Sequence, residues 1–122
     1  MESLIYKICP LELWQEAEST RTFTGAPVDV ADGYIHFSTA RQLAETAAKH
    51  FADQHDLLPV TVAAEALGDK LKWEPSRGDD LFPHLYGNLD LADVMRVDPF
   101  PIDDTGVHAV PDHARSGELE QE

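Results

Sequence analysis

The junction at Ser38-Thr39 constrains this chain more than any other stretch. Asp32-Gly33 is a turn signal, and Tyr34-Ile35-His36-Phe37-Ser38 after it has strand character. A helix follows at once. Ala40, Leu43, Ala44, Ala47, Ala48 and Phe51 recur at the spacing of one helical face. Thr39, with Gln42 three residues on, has the form of a capping box. A strand that feeds directly into an amphipathic helix brings its polar side chains to the edge where sheet and helix meet.

The rest of the chain is arranged around that junction. Residues 4–8 and 57–63 read as strands, the second of them central. Residues 93–97 read as a late strand, and residues 64–68 as a turn that leads to Leu71-Lys72-Trp73-Glu74. Pro10 suits the first turn of a short helix carrying Leu11, Leu13, Trp14 and Ala17. Residues 22–30, with Gly25 and Pro27, read as an extended loop, and residues 75–80 as a polar loop. The order is mixed rather than a regular βαβ alternation, which predicts an α+β domain. One compact domain over residues 1–102 is expected, followed by an acidic tail over 103–122, partly ordered at most, where Pro, Gly, Asp and Glu rise.

Charge narrows the partners. Nine Lys and Arg stand against 23 Asp and Glu, a net charge of −14 with neutral histidines. The basic residues are scattered singly. Such a field repels nucleic-acid phosphates and anionic membranes, so neither is an expected partner. Cys9 is the single cysteine and cannot form an internal disulfide. No apolar run has membrane-spanning length, and Met1-Glu2-Ser3 lacks the form of a signal peptide. The expected compartment is the cytoplasm.

Three short segments carry the residues with chemical potential. In residues 32–38, strand alternation places His36 and Ser38 on one face, and the helix start at Thr39 suits a phosphate or carboxylate. In residues 73–77, Glu74 stands between Trp73 and Pro75, a setting that can fix and perturb a carboxyl group, and Arg77 offers a fork for an anion. In residues 82–87, His84 and Tyr86 alternate between Pro83 and Gly87. Each segment has a plainer reading: a half-buried strand, a strand-end acid with Trp73 in the core, or an aromatic loop sealing the interior. His50, His55, His108 and His113 offer weaker signals.

Taken in order, Ile5-Tyr6-Lys7-Ile8, Asp32-Gly33-Tyr34-Ile35-His36-Phe37-Ser38, Lys72-Trp73-Glu74 and Phe82-Pro83-His84-Leu85-Tyr86-Gly87 resemble the domain-of-unknown-function 952 family of small bacterial proteins. The family is similar in fold to ADP-ribosyltransferases, split β-sandwiches with short helices that hold NAD between two small sheets. The resemblance implies NAD as ligand or substrate and a small anionic ligand as partner, with no metal required. Its first-strand position falls at Lys7, where family members often carry His. Lysine contacts a phosphate or ribose but does not reproduce an imidazole. The second-strand position falls at His36 or Ser38, beside Thr39. The late acid is Glu74, or else His84 and Tyr86 supply the polar end.

These readings give a leading expectation and two alternatives. In the first, an NAD cleft resembles that of an ADP-ribosyltransferase, with Glu74, His84 and His36 catalytic and Lys7, Ser38, Thr39, Arg77 and Tyr86 binding ligand. The second is a metal-dependent hydrolase using His36, His84 and Glu74. The third is a non-catalytic module that binds a small ligand or a protein.

Overall fold

The computed structural model of the protein describes residues 4–76 and 80–111. Strand β1 (Leu4–Pro10) leads directly into helix α1 (Leu11–Thr20), with Pro10 as its cap residue. A two-residue strand β2 (Thr22–Phe23), a short helix α2 (Pro27–Asp32), and strands β3 (Ile35–His36) and β4 (Ser38–Thr39) follow. Helix α3 (Ala40–His50), strand β5 (Leu57–Ala63) and a 3-10 segment (Ala64–Lys70) make the middle of the chain. Strands β6 (Leu71–Pro75), β7 (Leu81–Leu85), β8 (Leu89–Asp90) and β9 (Val94–Val97) complete it.

The strands form a four-stranded sheet β4-β1-β5-β9, a three-stranded sheet β3-β7-β6 and the small pair β2-β8. Every pairing is antiparallel. This is the α+β architecture that the mixed order predicts. In β1 every residue from Ile5 to Cys9 is buried, because both faces of the strand are covered. Ile5 and Cys9 join Trp14, Phe37, Val60 and Leu85 in the main core, to which both larger sheets contribute. Tyr6 and Ile8 meet Leu43 and Ala47 of α3, together with Phe100 and Val110, on the other face. Burial pushes the Cys9 thiol up to about 12, so it serves as a small apolar residue. Among the described residues no helix is long and apolar enough to cross a membrane.

Helix α3 starts as the sequence predicts. Thr39 Oγ1 accepts from the Gln42 N–H at 3.3 Å, and Gln42 Oε1 accepts from the Thr39 N–H at 3.0 Å. Gln42 Nε2 also donates to Leu81 O at 2.8 Å, which ties the helix start to β7. The buried stripe is narrower than the apolar spacing suggests. Leu43 and Ala47 are buried, whereas Ala44 and Ala48 face solvent.

The structure corrects two expectations. Residues 22–30 are not an extended loop but hold β2 and the start of α2. That helix lacks a capping side chain at Ala26; the Asp29 carboxylate accepts the Ala26 N–H at 2.8 Å instead. The run from Tyr34 to Ser38 is not one strand. It breaks at Phe37, so β3 pairs with β7 in one sheet and β4 with β1 in the other. Phe37 is buried, and its N–H donates to Pro83 O at 3.0 Å. Packed chain also runs past residue 102. His108 and Val110 are buried, and Ile102 bridges to His108.

The capping box gives a direct test. Thr39→Ala is expected to lower stability by about 1 kcal/mol, read as a lower urea midpoint with an unchanged slope. An unchanged midpoint would mean that the cap contributes nothing.

Candidate functional site

The site begins with a buried carboxylate. Asp29, on α2, is only 2% exposed. A lone buried charge costs several kcal/mol, so it must be paired and hydrogen-bonded. Lys7 Nζ meets both of its oxygens, at 2.9 and 2.8 Å. Its Oδ1 also accepts from the His36 N–H at 3.1 Å and lies 2.6 Å from His36 Nδ1. Oδ2 takes the Ala26 N–H. Burial alone would raise this carboxyl, but the His36 bond, the Lys7 charge and the Ala26 N–H hold it down to about 2. Lys7 is itself buried in mid-strand, a position tolerated because of this pair.

His36 is gripped from both ends. Its Nδ1 faces Asp29, and its Nε2 lies 2.9 Å from Asp32 Oδ2. Directly across the β3–β7 ladder stands His84, and the two rings meet edge to face at 5.6 Å. His84 is buried, and its Nδ1 lies 2.8 Å from Glu74 Oε1. Tyr86 donates its hydroxyl to the same oxygen at 2.7 Å. Those two hydrogen bonds, His84 first, hold the Glu74 carboxyl below its ordinary range. The bond to Glu74, then burial, raises Tyr86, so it stays a phenol. β7 ends at Leu85, and Tyr86 just beyond it turns to the same Glu74 oxygen as His84, so Glu74 on β6 meets both.

The sheets part where the chain crosses between them at Phe37, and there a cavity of about 510 Å³ opens. Lys7, His36, Ser38, His50, Ser76 and His84 are among its lining residues. Its size lies within the range of small-molecule sites. Ser38 donates to Thr46 Oγ1 at 3.2 Å. Thr39, by contrast, spends its hydroxyl and N–H on the helix cap. Glu74 and Tyr86 do not line the cavity; they reach it through His84. Arg77 lies outside the described residues. No group of three His, Cys, Asp or Glu among the described residues is placed to hold a metal ion. The arrangement of His36, His84 and Glu74 as three ligands is thus not formed, because each imidazole is turned to its own carboxylate.

Sequence reasoning missed Asp29, Asp32 and Tyr34. Asp29 carries no motif; only the hidden helix α2 turns it inward. Tyr34 stacks on His84 at 4.1 Å and contacts the rings of His36 and Tyr86 at 4.6 and 5.2 Å. It also lines a smaller cavity of about 240 Å³ with Gly33, Gly87 and Asn88. His50 lines the main cavity from the end of α3.

With this geometry in place, the relatives can be compared. The family described as protein of unknown function (DUF952) matches residues 8–97, and the chain belongs to it. The crystal structure of protein CC0527 from Caulobacter crescentus is 45% identical, covers 93% of this chain and 99% of its own, and superposes with a TM-score of 0.89. The solution structure of CC0527 is 46% identical over 90% of this chain and 95% of its own, with a TM-score of 0.81. Among curated proteins no match is found.

The Asp29 cluster predicts an acid limb. A carboxyl lowered from 3.8 to about 2 gives stability that is present above pH 3.8 and lost as pH falls toward 2. Asp29→Asn leaves Lys7 buried without its partner and is expected to cost about 3–5 kcal/mol at neutral pH. Urea unfolding at several pH values should show a lower midpoint and a flatter acid limb. Equal midpoints for both proteins at neutral pH would contradict this account of the cluster.

Proposed function

We propose that this member of the DUF952 family binds a small anionic dinucleotide of the NAD type in the cleft between its two larger sheets, and that it transfers the ADP-ribosyl group. The observation that carries the reading is the cross-strand pair His36–His84, each imidazole set by its own carboxylate and both lining one cavity. The cavity draws on both sheets: Lys7 from β1, Ser38 from β4 and His84 from β7. A cleft between two small sheets is what an ADP-ribosyltransferase-like split sandwich offers to NAD. Within an acidic chain, the lysine lining this cavity is where an anion meets positive charge.

In this reading Ser38 and His84 face the ligand at the crossover, the His36 ring lines the cavity with both its nitrogens turned to carboxylates, and Lys7 adds positive charge from the floor. Lys7 remains committed to Asp29, so it sets the local field rather than clamping a phosphate. Glu74 acts on the ribose only through His84, since it lies outside the cavity.

Calorimetry with NAD and with ADP-ribose tests the reading. The protein is expected to bind both, and Ser38→Ala and His84→Gln are each expected to weaken binding about tenfold, the worth of one hydrogen bond. A folded sample that ignores millimolar NAD and ADP-ribose would sink it. Binding without any release of nicotinamide would favour a non-catalytic module instead.

A further inference from the structure

We infer that Tyr34 is the positioning residue of this site: its ring holds the His84 imidazole on Glu74, so that Nε2 of His84 is the proton acceptor of the cleft. The two imidazoles are held differently. Both ring nitrogens of His36 already face carboxylate oxygens, Nδ1 toward Asp29 at 2.6 Å and Nε2 toward Asp32 at 2.9 Å. Neither is available to a substrate. Among the described residues, His84 is held by a carboxylate at Nδ1 alone. An ionised Glu74 only accepts, so the proton of a neutral His84 sits on Nδ1 and the lone pair on Nε2. A carboxylate that fixes the tautomer of a histidine is how many proton-transfer sites are built.

Glu74 is partly exposed, with 38% of its side chain open to solvent, and one hydrogen bond does not fix a ring plane. Tyr34 supplies the second constraint. It stacks on His84 with ring centroids 4.1 Å apart and planes 26° apart. Its other contacts, His36 at 4.6 Å and Tyr86 at 5.2 Å, brace it between both halves of the site. Tyr86 in turn donates to Glu74. The Tyr34 hydroxyl is not needed for this; burial, then the charges of Asp32 and Glu74, keeps it a phenol. The ring is what matters.

The identity of the reaction rests on the NAD reading above, but the tautomer does not. In that reaction the acceptor's heteroatom bonds to the anomeric carbon of the ribose. The bond from that carbon to nicotinamide breaks, and its electron pair leaves with nicotinamide. The proton released from the acceptor's O–H or N–H passes to Nε2 of His84 and then to water.

The test compares the wild type with Tyr34→Phe and Tyr34→Leu, with Tyr34→Met as a second variant in case the leucine lowers stability. Side-chain nitrogen NMR at about pH 8, above the ordinary histidine range, reads the His84 tautomer. The wild type and Tyr34→Phe are expected to show the proton on Nδ1. Tyr34→Leu and Tyr34→Met are expected to show averaging between tautomers, while thermal unfolding shows them folded. A wild-type proton on Nε2, or an unaltered His84 pattern in the leucine and methionine variants, would overturn the inference. Nicotinamide release from NAD is the second readout. Tyr34→Leu should lower kcat about 100-fold, the scale of a misplaced catalytic group, with little change in NAD binding. No release by the wild type would count against the NAD reading, and the tautomer result would still decide the role of Tyr34.

Discussion

The Asp29 carboxylate is the interaction on which the rest of the site depends. It accepts from Lys7 on β1, from the backbone of Ala26 at the start of α2, and from the backbone and beside the ring of His36 on β3. One buried charge thereby joins three elements that sequence separates by up to 29 positions from Lys7 to His36. The joint has a physical cause. Burying Lys7 or Asp29 alone costs more than the fold can spare, so each is buried only with the other. His36 inherits its position from that pair and passes it across the ladder to His84.

A second constraint shapes the cavity. The segment from Ile35 to Thr39 belongs to two sheets, and Phe37 is the point of exchange. Its side chain is buried and its N–H donates to Pro83 O of β7, so that buried donor is satisfied where the chain changes sheets. The sheets diverge on either side of that turn. His36 and Ser38 therefore reach one cavity from different sheets, rather than as alternate residues of a single strand.

Much of this was legible from the residues. The capping box at Thr39 and Gln42 gave the start of α3, because its signal is local and chemical. The sequence spacing of His84 and Tyr86 pointed to their meeting, and both do reach Glu74, although Pro83 lies within β7 and Tyr86 just past its end. Glu74 lies on β6, where it meets His84 and Tyr86. Helix α2 was not legible: its cap comes from Asp29 reaching back to Ala26, an arrangement without a capping residue at the usual place. The break at Phe37 was hidden as well, because period-2 patterning does not say which sheet a strand joins. The acidic composition beyond residue 102 concealed His108 and Val110, which pack because Phe100 and Gln54 meet them. His108 stacks on Phe100 and approaches Gln54 O at 2.9 Å.

The central claim is that the imidazoles of His36 and His84 share one ligand cavity. The histidine ring protons report on it directly in an NMR titration with NAD. His36, His84 and His50 line the cavity, whereas His108 is buried away from it against Phe100. The account predicts that the first three shift together along one saturation curve while His108 stays still. Ring protons of His36 and His84 that do not move at saturating NAD, or that move no more than His108, would contradict it.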